Sequence, residues 1–221
     1  MYIWLILAFI SAALEALAVW RGWHRFESVA KPAVIIFLFL WLFLRTGLQD
    51  NLFWFGIGLL FSLLGDVLLL IPQGCMFIPG LVAFLFTHIC YLFGFQEQLL
   101  NPTAWSLILI GAIMLSSVRL LRRIVSAMRT RDEHRLITPV VFYGLVISLM
   151  LAVAMSTLSD RAWKAGAAFL VSAGAFLFWI SDLMLAWNKF VSPLKSGHVA
   201  SILAYHLGQI GLIAGLVSQF G

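Results

Sequence analysis

The chain has 221 residues, of which 63% are hydrophobic and 10% are charged, and its mean hydropathy is +1.04. A soluble globular domain is closer to about 45–50% apolar and about 25% charged, so this composition excludes an ordinary soluble protein and predicts a polytopic membrane protein. The formal net charge of +5 does not indicate nucleic-acid binding, because the basic residues lie in short segments between apolar spans.

Eight apolar segments are long enough to cross a bilayer as helices, on the measure of about 20 residues per span. The sequence therefore predicts an all-α bundle of about eight transmembrane helices, forming one integral membrane domain over residues 1–221. The first segment has no basic stretch before it and contains Glu15, so we expect a retained span rather than a cleaved signal peptide. The predicted spans are 2–20, 32–45, 52–71, 76–95, 104–121, 138–157, 165–187 and 198–219.

The connecting segments predict the orientation. Those after the odd-numbered spans contain ten Lys and Arg residues, five of them in the one long polar connection at 122–137, and those after the even-numbered spans contain three. Positive charge favours the cytoplasmic side, so we expect both termini outside, in what we take to be a bacterial inner membrane. Cys75 and Cys90 lie in or beside spans and are interpreted as packing residues rather than a disulfide.

Two aspartates interrupt otherwise apolar spans. Asp66 lies in "FSLLGDVLLLIP" and Asp182 in "FLFWISDLMLAW", where an ionised carboxylate costs several kcal/mol. Each lies near the predicted cytoplasmic end of an odd-numbered span, so both reach a similar depth. We expect the two groups to face each other across the interior of the bundle.

The surroundings of the two aspartates are similar. "GDVLLL" at 65–70 resembles "SDLMLA" at 181–186, and a polar ring pair follows each, midway along the next span. These pairs are His88 with Tyr91, and Tyr205 with His206. The pattern suggests that spans 3–4 and 7–8 form a parallel internal repeat, whose interface is a natural place for a binding site.

Helical spacing places several of these polar side chains on shared faces. His88 and Tyr91 are three residues apart, and Gln209 lies four and three residues after Tyr205 and His206. A single intramembrane His or Tyr is more often an interhelical hydrogen bonder than a catalyst, and Glu15 alone fits a pair with a basic residue elsewhere in the bundle. Two aspartates, two histidines and two tyrosines at matched positions together predict a functional polar cavity.

The chemistry that fits this set is acid–base catalysis by two carboxyl groups. The sequence has no nucleotide, haem or zinc-protease motif and no serine-hydrolase elbow. Two carboxyl groups close together cannot both ionise easily, so one keeps a proton and acts as general acid while the other activates water. Such a pair hydrolyses acid-labile bonds through oxocarbenium-like intermediates.

Two other functions remain open from the residues. The first is a metal-dependent lipid hydrolase, with a zinc site drawn from a loosely spaced set of ligands. The second is a proton-coupled transporter or lipid-binding protein, in which intramembrane carboxylates carry the proton. The candidate ligands of the metal site are Asp66, Asp182, His88, His198 and His206.

Several motifs closely resemble the YhhN-like lysoplasmalogenase family over nearly the whole chain. They are "KPAVIIFLF" from Lys31, "GDVLLL", "THICYLFGF", "YGLVISLMLAVA" from Tyr143, "GAFLFWISDLMLAWNKF" and "YHLGQIGLIAG". The resemblance implies an eight-helix membrane enzyme that hydrolyses the vinyl ether of lysoplasmalogens without a cofactor, metal, nucleic acid or obligate protein partner. Its partners would be the lysophospholipid substrate and the membrane lipid, and its products a fatty aldehyde and a glycerophospho-head-group.

The resemblance also implies roles for particular residues. Asp66 and Asp182 occupy the family's two acidic positions, and we expect Lys31 or Lys189, at the cytoplasmic rim, to hold the lipid phosphate. His206 stands where the family often has a tyrosine, which leaves its role open. The residues expected around the aspartates are Lys31, His88, Tyr91, Tyr143, Asn188, Lys189, Tyr205, His206 and Gln209.

Overall fold

The structure is a computed structural model that describes residues 2–71, 76–194 and 197–221. Cys75 and Lys195 lie outside these residues. Over the described ranges the chain forms nine α-helices and no strand. They are α1 (Ile3–Arg21), α2 (His24–Thr46), α3 (Leu52–Leu70), α4 (Phe77–Gly94), α5 (Gln96–Leu100), α6 (Ala104–Thr130), α7 (His134–Ser156), α8 (Ala165–Phe190) and α9 (Gly197–Phe220).

All of these helices except the five-residue α5 are long and apolar enough to cross a membrane. The eight predicted spans and the all-α fold class are therefore confirmed, and the protein is an integral membrane protein. Consecutive long helices pack as antiparallel neighbours: α1 with α2, α3 with α4, α6 with α7, and α8 with α9. Helix α9 is the most enclosed of the eight and α6 the most exposed.

Two helices extend beyond their predicted spans. Helix α2 begins at His24, eight residues before the predicted start, and contains Pro32. Helix α6 continues through the basic residues as far as Thr130, and α7 begins at His134. The expected polar connection at 122–137 is therefore wrong, and the connection comprises residues 131–133 only. The reason is that arginine, leucine, methionine and alanine are good helix formers, whereas a count of apolar residues finds only the part of a helix that lies in hydrocarbon.

The tightest helix pair is α8 with α9, where glycines let the two backbones meet. A Cβ atom added at Gly174 would lie 2.4 Å from the backbone nitrogen of Leu212, and one added at Gly208 would lie 2.7 Å from that of Phe178. Small residues commonly permit such close crossings in membranes. This packing holds the helix that carries Asp182 firmly against the helix that carries Tyr205.

Candidate functional site

Asp66 is fully buried on α3, where groups from two other helices contact its carboxylate. The ammonium nitrogen of Lys31, on α2, lies 3.4 Å from Oδ1. The hydroxyl of Tyr205, on α9, donates a 2.7 Å hydrogen bond to Oδ2. Full burial disfavours the ionised form of Asp66, and the ion pair and the charge-assisted hydrogen bond offset part of that cost.

A chain of hydrogen bonds extends from Asp66 deeper into the bundle. The Tyr205 hydroxyl is 2.7 Å from Ser62 Oγ, which accepts a 2.8 Å bond from the amide nitrogen of Gln209. Tyr91 in turn donates to the amide oxygen of Gln209 at 2.8 Å. Because each hydroxyl has a single proton, Ser62 must donate to Tyr205 when Tyr205 donates to Asp66. Every donor in the chain then points toward Asp66.

Asp182, on α8, has a separate set of partners. The Tyr143 hydroxyl, on α7, donates to Oδ2, and Nε2 of His88, on α4, lies 3.1 Å from the same oxygen. The Asp182 side chain is 11% exposed, whereas His88 is fully buried. No hydrogen bond from a described residue reaches Oδ1 of Asp182, which leaves that oxygen available to a bound molecule.

The two predicted repeat units exchange partners at the site. Asp66 of the first unit accepts from Tyr205 of the second, and Asp182 of the second contacts His88 of the first. The two ring residues stand at nearly the same distance along the chain after their respective aspartates. This reciprocal arrangement is what a parallel repeat would produce, although the repeat itself stays a prediction.

Asp66 and Asp182 line the same polar cavity, which has a volume of about 60 Å³. No hydrogen bond joins the two carboxyl groups, since each accepts from its own donors. We expected the two carboxyl groups to share one proton. The structure shows no direct hydrogen bond between them through which the proton could be shared, so this expectation stays a prediction. The other lining residues are Lys31, Leu69, Phe84, Ser181, Leu185, His198, Ser201, Ile202 and Tyr205.

A second cavity, also of about 60 Å³, lies on the other side of Asp182 among α4, α6, α7 and α8. Its walls are almost entirely apolar, with Leu121, Ile147 and Trp179 among them. Asp182 and Leu185 line both cavities. Asp182 therefore stands where an apolar space suited to an alkyl chain meets a polar space suited to water.

His206 does not contact either aspartate. Its Nε2 pairs with the carboxylate of Glu15, on α1, and both side chains are fully buried. His206 is nevertheless adjacent to the site, since its ring centroid lies 4.9 Å from that of Tyr205. The sequence left the partner of Glu15 open. The structure shows that this partner is His206, which the sequence placed near the aspartates.

The remaining expected residues lie toward the end of α8. Asn188 accepts a 2.8 Å hydrogen bond from the backbone nitrogen of Leu194, which fastens the chain that leaves the helix. The ammonium of Lys189 lies 4.9 Å from the centre of the Phe77 ring. Neither residue lines the polar cavity, and the lysine that does so, Lys31, is engaged with Asp66.

The five candidate metal ligands are not gathered at one centre. His206 pairs with Glu15, and His198 lies 3.9 Å from Glu27 at an exposed position. Within the described parts of the chain, no group of three or more His, Cys, Asp or Glu side chains is arranged to hold a metal ion.

Ser62 is the member of the site that sequence reasoning missed. Serine is common in membrane helices, so its presence carries little information. The available signal was its spacing, because Ser62 lies one helical turn before Asp66 on the same face. The hydroxyl bonds both Tyr205 and Gln209, which adds to the Tyr205–Asp66 hydrogen bond in connecting α3 and α9.

A family model described as the YhhN family matches residues 26–216. The chain belongs to the YhhN family. The resemblance seen in its motifs is thereby confirmed.

Several curated proteins are similar to this YhhN-family chain. A human protein named lysoplasmalogenase TMEM86B is 28% identical over 179 residues, which cover 81% of this chain and 69% of the human protein. The mouse protein of that name is 28% identical over 184 residues, covering 83% of this chain and 71% of the mouse protein. The pig protein of that name is 29% identical over 162 residues, which cover 73% of this chain and 62% of the pig protein. No solved structure matches the chain.

Proposed function

We propose that the protein is a membrane hydrolase that cleaves the vinyl ether of lysoplasmalogen-type lysophospholipids. The observation that carries the proposal is the position of Asp182 between the apolar cavity and the polar cavity that Asp66 lines. The curated relatives, which are named lysoplasmalogenases, support this substrate class. With the alkenyl chain in the apolar cavity, the reactive bond reaches Asp182.

Asp182 serves as the general acid. A vinyl ether is cleaved by adding a proton to its β-carbon, the carbon on the side of the alkyl chain, and Asp182 is the carboxyl group that touches the apolar cavity. Its Oδ1 carries the proton while Oδ2 accepts from Tyr143 and His88. Proton transfer leaves an oxocarbenium ion, R–CH2–CH=O⁺–R′, next to a newly formed carboxylate that stabilises its charge.

Asp66 serves as the general base. Lys31 and Tyr205 hold it as a carboxylate, and its Oδ1 accepts no hydrogen bond from a described residue. The polar cavity has room for a small number of water molecules, each of which takes about 30 Å³ in the liquid. Asp66 removes a proton from the water that attacks the cation, which gives the hemiacetal R–CH2–CH(OH)–OR′.

The same two groups complete the reaction. Protonated Asp66 returns its proton to the ether oxygen as the C–O bond breaks, and Asp182 removes the proton of the hemiacetal hydroxyl. The products are the fatty aldehyde R–CH2–CHO and the glycerophospho alcohol R′OH. One water is consumed, and both aspartates return to their starting states.

The test measures aldehyde release from three lysolipids that differ only in a vinyl-ether, alkyl-ether or acyl linkage. We expect cleavage of the vinyl-ether lipid alone. Asp66→Asn and Asp182→Asn should each lower kcat by about 10²–10⁴-fold, the usual contribution of general acid–base catalysis. Asp50→Asn is the matched control, because Asp50 is exposed and lies outside both cavities. Its activity should equal that of the wild type.

Other results would contradict the proposal in distinct ways. Full activity in either aspartate variant would remove that residue from the mechanism. Recovery of the vinyl-ether lipid intact after long incubation with the wild-type protein would favour the transporter or binding function. Cleavage of the acyl lipid that a chelator abolishes would favour the metal-dependent hydrolase.

A further inference from the structure

The proposed function leaves the phosphate of the substrate without a cationic partner. Lys31 is occupied by Asp66 at 3.4 Å, and Lys189 rests over the Phe77 ring. A lysophospholipid carries its phosphate only a few bonds from the ether, so binding requires a cation close to the apolar cavity. The surface between α6 and α7 provides one.

A groove of about 560 Å³ lies between α6 and α7. One part of its lining is aliphatic and suits a lipid chain, and the other part is basic and hydroxylic and suits a phosphate. The aliphatic residues are Val118, Leu121, Val125, Val141 and Leu145, and the polar residues are Arg122, Ser126, Arg129 and Thr130.

Arg122 and Arg129 lie on the same face of α6, because seven residues make about two helical turns. Both are exposed, and neither has an ion-pair partner among the described residues. Two other arginines nearby are occupied. Arg123 lies over the Trp187 ring, and Arg131 donates to two backbone carbonyls at the C-terminal end of α8, those of Lys189 and Val191. The guanidinium groups in the groove are therefore available, and this group binds phosphate in bidentate fashion.

The basic part of the groove lies at the depth of lipid headgroups. Helix α6 has 27 residues, which at 1.5 Å each make it about 40 Å long, against about 30 Å of hydrocarbon. Measured along the helix from Ala104, Arg122 lies at about 27 Å and Arg129 at about 38 Å, so Arg122 lies near the edge of an apolar core of that thickness and Arg129 lies beyond it. A lipid in the adjacent leaflet presents its phosphate at this level and its chain along the valines below.

Among the residues that the structure describes, Leu121 alone lines both the groove and the apolar cavity beside Asp182. Its side chain packs on Gly144 of α7, where an added Cβ would lie 2.6 Å from Leu121 Cδ2. A flexible leucine packed over a glycine is a barrier that a rotamer change can move. The groove and the cavity thus share the Leu121 side chain as a common lining group.

We propose that the α6–α7 groove docks the lysophospholipid substrate from the membrane, with its phosphate on Arg122 and Arg129. The alkenyl chain then passes Leu121 into the apolar cavity, which brings the vinyl ether to Asp182. This inference rests on the proposed function and adds the phosphate site and the route of access.

The first test compares Arg122→Gln/Arg129→Gln with the wild type in maltoside micelles, which contain no phosphate. For a vinyl-ether lysophospholipid, KM should rise about 10- to 100-fold with little change in kcat, as expected for lost charge-assisted hydrogen bonds. For a 1-alkenylglycerol, which lacks the phosphate, KM should not change. Arg119→Gln is the matched control, since Arg119 is exposed on the same helix but does not line the groove.

Unchanged KM values in the double variant would overturn the docking site while leaving the proposed function intact. An equal rise for both substrates would also overturn it, because that pattern indicates a structural defect. If the wild type cleaves neither substrate, the proposed function itself fails.

A second test examines the barrier. Leu121→Phe, which enlarges the barrier, should lower kcat/KM about tenfold or more for both substrates. Leu115→Phe is the matched control and should not lower it, because Leu115 is exposed on the same helix and lines neither the groove nor the cavity. Gel filtration and thermal unfolding establish that each variant is folded. Wild-type kcat/KM in a folded Leu121→Phe protein would overturn this route of access.

Discussion

Each buried acidic side chain of the site is held by a group from a helix distant in the sequence. Asp66 contacts Lys31 and Tyr205, and Asp182 contacts His88 and Tyr143. A carboxylate in hydrocarbon is costly unless it is paired and hydrogen-bonded, so these contacts fix the positions of the helices as well as the chemistry.

The Glu15–His206 pair provides a prediction at the residue scale. Both side chains are fully buried, and neither Glu15 Oε1 nor His206 Nδ1 has a hydrogen-bond partner in the described parts of the chain. Removing one member leaves the other buried and unpaired, which costs up to about 3–5 kcal/mol. Glu15→Leu and His206→Leu should therefore each lower the Tm, measured by tryptophan fluorescence in detergent, more than the double variant does.

The double variant is the control in this cycle, because it removes both polar groups and replaces them with aliphatic ones. If its Tm falls by the sum of the two single changes, the residues act independently and the pair contributes no coupling. That result would contradict the pairing.

The sequence predicted which residues are unusual but not which ones meet. Asp66 and Asp182 were identifiable because a charge in an apolar span stands out against its neighbours. The choice of Glu15 as the partner of His206 depends on how α1 and α9 face each other, and no local pattern encodes that. For the same reason the sequence did not show that Lys31 has Asp66 as its partner. The phosphate role expected of this lysine stays a prediction.

At the scale of elements, hydropathy located the spans but not their ends. The additional turns of α2 and α6 mix charged residues, such as Arg25, Glu27, Arg122 and Arg129, with apolar ones, so a count of apolar residues ended the spans too early. The sequence did not predict the groove between α6 and α7, because the residues that line its basic part were expected to form a loop.

The crossing of α8 and α9 yields a prediction about packing. Gly174→Ala places a methyl group 2.4 Å from a backbone nitrogen of α9, and backbone cannot move aside as a side chain can. Overpacking of this kind costs about 1–3 kcal/mol, so the Tm should fall. Gly111→Ala is the matched control, since an added Cβ there meets nothing within 4 Å and alanine is the better helix former.

The activity of Gly174→Ala adds a second measurement. Because α8 and α9 carry Asp182 and Tyr205 respectively, a forced separation of the helices should lower kcat even at temperatures where the protein stays folded. A Gly174→Ala protein with the Tm and kcat of the wild type would show that this close approach is not required.

The whole molecule combines a polar interior with an apolar exterior. The described polar groups of the site lie among α2, α3, α4, α7, α8 and α9, whereas large apolar side chains such as Phe53, Phe86 and Phe169 are exposed on the outside. Exposed apolar surface on this scale fits a lipid environment. The one-domain organisation stays a prediction, and the parallel repeat would explain why the two aspartates lie in similar surroundings.

The orientation in the membrane gives the last prediction. The count of ten basic residues against three predicts that the segment between α6 and α7 lies in the cytoplasm and both termini outside. In a bacterial host, alkaline phosphatase fused after Gly221 should be active and a green fluorescent protein at the same position should be dark, while the same reporters inserted after Asp132 should give the opposite result. The inverse pattern would turn Arg122 and Arg129 toward the outer leaflet, and the substrate would then have to arrive from outside the cell.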